Sequence, residues 1–183
     1  GNEENLKVGY VGHLYKGKGI EIINSIADKF SDEVDFHIIG GTERDINTWK
    51  RIIKHKNVFF YGHISHKEVS KYINALDICL LPNQKIVRPH GDKDTKINIS
   101  GYTSPLKLFE YMSHNKPIIA SDFPVIREVL NENNSILVDY NDIEGWVNSV
   151  KKLKDINKRK SIANQALADF HKYSWKNRIE LVI

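Results

Sequence analysis

The 183-residue chain has one cysteine and one methionine, and no apolar run near the ~18–20 residues that a membrane-spanning helix needs. One thiol makes neither an internal disulfide nor a cysteine-rich zinc site. Cys79 lies in the apolar run Ile78-Cys79-Leu80-Leu81 and reads as an inert core thiol, in keeping with a reducing, cytoplasmic setting. The opening residues Gly1-Asn2-Glu3-Glu4-Asn5 lack the basic-then-apolar layout of a signal peptide. A leading Gly without Met is expected of a trimmed chain or a fragment. What is present is the balance of a globular domain, 40% hydrophobic against 27% charged, which excludes a disordered chain. The length suits one domain with a real core.

Charge is unevenly spread. The net charge is +4, yet from Lys151 onward nine bases face three acids. Such a tail suits either the solvated face of helices or contact with an anionic membrane. Aromatic residues are too sparse within it for a nucleic-acid surface. Trp146 and Trp175, in the helical tail that begins at Ile143, read as packing anchors.

Strand and helix signals alternate. Leu6–Val11, Val34–Ile39, Val58–Tyr61, Asp77–Leu81, Pro117–Ala120 and Ile136–Val138 read as strands. A helix carries Ile20, Ile23, Ile26 and Ala27 on one face, and a second over Asp45–His55 turns Ile46, Trp49, Ile52 and Ile53 inward. Ser65 with Glu68 has the spacing of a capping box before Val69–Leu76. Residues 83–103 are a polar stretch without period, a length expected of a functional loop. Ser104-Pro105 opens a further helix, with Ser at the N-cap. From Ile143 the pattern is helical almost to the end. This order predicts an α/β fold: a doubly wound, Rossmann-like parallel sheet of about six strands, helices on both faces and a helical C-terminal tail. The chain reads as a single domain over residues 1–183.

Ligands of such sheets bind beyond the carboxyl ends of the strands. Two segments there carry chemistry. Gly12-His-Leu-Tyr-Lys-Gly-Lys-Gly19 lies between a strand and a helix. It matches G-x-x-x-x-G-K but lacks the Ser or Thr that would hold Mg²⁺, which disfavours a phosphate-loop nucleotide hydrolase. It reads either as an anion site built from helix N–H groups with Lys16 and Lys18, or as a glycine-rich turn with two solvated lysines. Ser104-Pro-Leu-Lys-Leu-Phe-Glu-Tyr-Met112 opens the second helix. The N–H groups of Leu106 and Lys107 are free to meet an anionic oxygen, and Lys107 adds charge. Glu110, among Leu108, Phe109, Tyr111 and Met112, needs a hydrogen-bond donor: vicinal hydroxyls of a ligand, an internal salt bridge, or solvent. His37, alternating within a strand, reads as structural. Asp122 and Glu128 fall near the fifth strand's turn, as ligand contacts or as caps and surface groups.

Four segments together resemble the C-terminal, donor-binding domain of the retaining glycosyltransferases of GT-B fold, the glycosyl transferases group 1 family. They are Gly12-His13-Leu14 with Lys18-Gly19; Ile39-Gly40 with Phe60-Tyr61-Gly62-His63-Ile64; Tyr72 with Ala75-Leu76-Asp77 and Pro82; and Glu110-Tyr111-Met112 with Lys116-Pro117-Ile118. The resemblance covers nearly the whole length. It implies a hexosyltransferase-like enzyme of polysaccharide biosynthesis that binds a UDP- or GDP-linked sugar without cofactor or obligatory metal. The acceptor, a glycan or lipid-linked saccharide, would be held by an N-terminal domain absent from this chain, leaving the isolated half inactive. The expected setting is cytoplasmic, at the inner face of the membrane, with peripheral membrane contact and no nucleic-acid partner.

Carried over residue by residue, the resemblance makes Lys18 the basic group on the donor diphosphate and Glu110 the second Glu of the E-x7-E motif, holding the ribose. Gly62, His63 and Ile64 frame the nucleobase. Leu106 and Lys107 follow Ser104 where backbone amides meet the diphosphate or sugar. Two residues depart from the pattern. His13 replaces the family's Arg beside Gly12, and an imidazole lacks the guanidinium fork, so the diphosphate leans on Lys16, Lys18 and Lys107. Tyr102 stands where the first Glu of the motif belongs, leaving Asp92 or Asp94 as substitutes and the donor sugar open. No catalytic nucleophile is identified. A non-catalytic α/β interaction module is the alternative, with Glu110 on its surface.

Overall fold

The computed structural model describes residues 4–30, 32–85 and 106–173. Ser104, Tyr102, Asp92, Asp94 and Trp175 lie outside the described residues, as does most of the polar stretch before the fourth helix.

Six strands run β1 (Leu6–Val11), β2 (Val34–Ile39), β3 (Val58–Gly62), β4 (Ile78–Leu81), β5 (Ile118–Ser121) and β6 (Ile136–Val138). They pair in the order β3-β2-β1-β4-β5-β6, every neighbour parallel. This is the doubly wound arrangement that the alternating pattern predicts. Parallel neighbours require crossovers, and the helices supply them: α1 (Ile20–Ala27), α2 (Glu43–Ile52), α3 (His66–Ala75), α4 (Leu106–Ser113) and the single turn α5 (Pro124–Arg127). Then α6 (Ile143–Lys152) and α7 (Ile156–Phe170) form the helical tail.

Strand side chains alternate between two cores. Val8, Tyr10, Phe36, Ile38, Ile78 and Leu80 meet α1, α2 and α6 on one face. Val11, Ile39, Cys79, Leu81, Ile118 and Ala120 meet α3, α4 and α7 on the other. Ile20, Ile23, Ile26 and Ala27 of α1 are all buried, as their spacing requires. Each isoleucine so buried contributes about 1.5–3 kcal/mol of transfer free energy. Trp146, fully buried, donates its indole N–H to the Asp139 carbonyl at 3.1 Å and anchors α6.

Three local expectations change. Ile52 is 56% exposed, because Ile46, Trp49 and Ile53 complete the inward stripe and α2 ends at Ile52 rather than His55. The reciprocal capping box belongs to Thr42 and Asp45 at α2. At α3 the Ser65 hydroxyl donates instead to the Glu68 carboxylate at 3.1 Å and caps no backbone N–H. The short turn α5, which opens on Pro124, has no apolar period long enough to read in the sequence.

Candidate functional site

The carboxyl ends of β1, β2 and β3 meet through backbone. Gly12 N–H donates to the Ile39 carbonyl at 2.9 Å, and Gly40 N–H to the Gly62 carbonyl at 2.7 Å. Gly40 has φ +113°, and a Cβ there would lie 2.2 Å from the Gly12 carbonyl oxygen, so only glycine lets the two turns approach. A hollow of about 230 Å³ opens above this junction. It is lined by Gly12 and His13 after β1, Gly40 and Gly41 after β2, His63, Ile64 and His66 after β3, and Lys107 of α4.

The loop from Gly12 to Gly19 is held from three sides. The Tyr10 hydroxyl donates to the His13 carbonyl at 2.7 Å, and the Trp49 indole donates to the Leu14 carbonyl at 2.8 Å. Gln84 N–H donates to the Gly17 carbonyl at 2.9 Å. Gly19, at φ +82°, is the N-cap of α1, and a Cβ there would lie 1.7 Å from the Pro82 carbonyl oxygen. The start of α1 is thus pressed against the end of β4. Lys18 is half-buried, its ammonium 5.2 Å from the centre of the Tyr15 ring, and desolvation lowers its pKa. Tyr15 in turn lies 5.6 Å from the His13 imidazole.

α4 begins at the same edge of the sheet but on the opposite face from α1. Helix geometry leaves the first N–H groups, including those of Leu106 and Lys107, without intrahelical partners. Lys107 donates to Glu110 Oε2 at 2.6 Å, one turn along, and both side chains are 28% exposed. The apolar neighbours that make Glu110 conspicuous in sequence turn inward instead: Leu108, Tyr111 and Met112 are fully buried, and the carboxylate stays at the surface beside its lysine. A partly exposed helix pair of this spacing contributes only ~0.3–0.5 kcal/mol, so a ligand can separate it at little cost.

The structure therefore brings Gly12, His13, His63, Ile64 and Lys107 around one hollow, with Glu110 a single ion pair away. Gly62 underlies it through its bond to Gly40. Lys18 is not among the residues that line it; its ammonium lies over Tyr15, whose ring neighbours that of His13. Lys16 lies elsewhere, with Gly17, Glu21, Gln84, Lys85 and Tyr140 in an adjoining hollow of about 390 Å³. Leu106 is 77% exposed at the head of α4. Asp122 is occupied by Arg127, which also pairs with Glu132 and holds the Asp122 carboxyl below its ordinary range. Among the described residues no group of three or more His, Cys, Asp or Glu side chains is placed to hold a metal ion. Cys79 is fully buried, and burial pushes its thiol up, away from nucleophile chemistry.

Sequence reasoning missed the residues that support the site. Tyr10 and Tyr111 are both buried; the Tyr111 hydroxyl accepts the Val11 N–H at 2.9 Å and so ties α4 to the end of β1. His66 lines the hollow although the pattern presents it only as the first residue of a helix. The signal available for the tyrosines was a hydroxyl at an inward-facing position, which demands a partner.

The described residues thus form a doubly wound domain with an open hollow at the carboxyl ends of β1, β2 and β3. The chain belongs to the glycosyl transferases group 1 family, whose model matches residues 5–155. A Klebsiella pneumoniae protein described as "Uncharacterized 41.2 kDa protein in cps region" is 25% identical over 142 residues, covering 76% of this chain and 34% of that one. Among solved structures, sucrose-phosphate synthase from Thermosynechococcus elongatus superposes with a TM-score of 0.75 at 20% identity, over 98% of this chain and 44% of that chain. Anabaena HepE in complex with UDP-glucose gives a TM-score of 0.71 at 18% identity, over 92% of this chain and 44% of that chain. The chain spans less than half the length of these relatives.

Proposed function

We propose that this domain binds the nucleotide-diphosphate sugar of a glycosyltransferase that acts with retention, the acceptor being a glycan or lipid-linked saccharide held by a further domain. The observation that supports it most is the hollow lined by Gly12, Gly40 and Lys107, with Glu110 paired to that lysine. A space of about 230 Å³ is smaller than ordinary ligand pockets, which start near ~300 Å³. It takes a nucleobase or a diphosphate and leaves the rest of the donor to an opposing surface.

In this reading the base lies against Gly62, His63 and Ile64. The Lys107–Glu110 pair opens on binding: the carboxylate accepts from ribose hydroxyls while the ammonium turns to the diphosphate. Lys18, Lys107 and the N-termini of α1 and α4 then stabilise charge that accumulates on the departing diphosphate, as fixed electrostatics with no proton to transfer. Lys18 suits this role because it is already partly desolvated, which strengthens its attraction to an anion. HepE is described in complex with UDP-glucose, which supports a uridine nucleotide ahead of a guanosine one.

Calorimetric titration of uridine and guanosine diphosphates, without Mg²⁺, tests the reading. Weak but saturable binding is expected, with Glu110→Ala losing about tenfold for the nucleoside diphosphate and far less for pyrophosphate. Lys18→Ala weakens both ligands. Equal losses for the two ligands in Glu110→Ala would remove that residue from the ribose, and no heat at millimolar nucleotide would end the proposal.

A further inference from the structure

At the opposite end of the strands from the hollow, the ends of three adjacent helices come together. Asn57, at the entry to β3, donates from its buried amide to the carbonyls of Ala27, Phe30 and Val34 at 3.0–3.1 Å. This fixes the α2–β3 turn beside the end of α1. Lys154, in the α6–α7 turn, pairs with Glu33 and lies 5.7 Å over the Phe30 ring, which fixes that turn on the other side of α1. The three turns therefore form one continuous rim.

The rim is basic. Lys50, Arg51, Lys54 and Lys56 from the α2 end are all exposed, as is Lys29 from the α1 end. Lys151, Lys152, Lys154, Lys158 and Lys160 from the α6–α7 turn are exposed as well. Against these ten bases stand four acids in the same turns, Asp28, Asp32, Glu33 and Asp155, with Glu4 just before β1. Two of the four large apolar side chains exposed among the described residues lie here: Ile52 at 56% and Ile156 at 52%, one at each end of the rim. Each sits among lysines, and neither serves a core.

We propose that this rim docks on an anionic lipid bilayer, the lysines on headgroups and the two isoleucines in the interface. A polybasic surface gains ~1 kcal/mol per base near an anionic leaflet. Protruding aliphatic side chains add an apolar component that a nucleic acid would not use. No helix among the described residues is long and apolar enough to cross a membrane, so the contact is peripheral. The six residues of β1 separate the rim from the hollow by about 20 Å at ~3.3 Å per residue. The docked domain keeps its nucleotide site open to solution. This inference does not depend on the proposed function.

Sedimentation with phosphatidylcholine vesicles, with and without phosphatidylglycerol, tests it on the chain as it stands. Binding is expected only with phosphatidylglycerol and weakens as salt rises. The triple variant Lys54→Gln/Lys56→Gln/Lys152→Gln should lower the partition coefficient by about a hundredfold, near fivefold per base. Ile52→Ser/Ile156→Ser should lower it at least about tenfold. Lys67→Gln/Lys71→Gln on α3 should leave it unchanged. All these positions are exposed, so thermal melting stays as in the parent chain. Absence of binding to anionic vesicles at low salt, or an equal loss in the α3 control, would overturn the proposal. So would indifference to the isoleucines together with tight RNA binding, which would assign the rim to a polyanion.

Discussion

Lys107 and Glu110 satisfy each other at 2.6 Å, and Lys107 lines the hollow in which a nucleotide is proposed to bind. Removing the lysine frees the carboxylate without costing the fold: Lys107→Ala should change thermal stability by under ~0.5 kcal/mol yet weaken a nucleoside diphosphate by about tenfold. A stability loss without a binding loss would make the pair purely structural. His37 gives a second residue-level prediction. Its Nδ1 lies 2.7 Å from the Tyr61 hydroxyl, Phe59 stacks on the ring, and Nε2 is buried without a partner among the described residues. Desolvation, only partly offset by Asp35, lowers its pKa below the ordinary histidine value. The unfolded chain then binds the proton more readily, so stability falls as pH drops through about 6.5 and below. Urea midpoints should decline from pH 7 to pH 5, and His37→Phe should flatten that decline; an unchanged slope would contradict the assignment. The ion pair was open in the sequence as one of three fates for Glu110. The Tyr111 hydroxyl contact was not legible, because it joins α4 to Val11 of β1, which only the folded crossovers bring together; the Tyr10 hydroxyl bonds within its own loop, to His13.

Elements were legible where an apolar run or stripe was bounded by polar residues. β1, β2 and β6 fall on the residues their apolar patterns mark, and α1 buries its isoleucine stripe. The ends were less so, because capping depends on which way a short side chain turns. Thr42 and Asp45 close a reciprocal box, whereas Ser65, with an equally suitable glutamate, bonds to that glutamate's side chain. Thr42→Ala should therefore cost about 1 kcal/mol and Ser65→Ala distinctly less, read from urea unfolding. Gly19 makes a sharper claim. At φ +82° and against the Pro82 carbonyl, Gly19→Ala meets both backbone strain and a clash, and more than ~2 kcal/mol should be lost. Retained stability would mean that the α1 start is free to shift away from β4.

At the scale of the whole molecule, parallel pairing was legible because strands alternated with helical segments, and the position of the hollow followed from the topology. The return of α7 across the domain was not. It packs on α4 through Ala166 and Phe170, with Tyr173 5.3 Å from the Phe109 ring, and its uneven apolar pattern gives no such destination in advance. The buried amide of Asn57 joins α1, β2 and β3 through three carbonyls, so Asn57→Leu should cost about 2–4 kcal/mol and disturb the basic rim before the hollow. Proposed lipid contact and proposed donor binding thus occupy opposite ends of one sheet and can be tested separately. The most direct examination of the central claim is a crystal structure with a nucleoside diphosphate soaked in. The account predicts ribose hydroxyls within hydrogen-bond reach of Glu110, phosphate oxygens at the Leu106 and Lys107 amides, and the base beside His63. Nucleotide density away from Glu110, with the Lys107 ion pair intact, would contradict it.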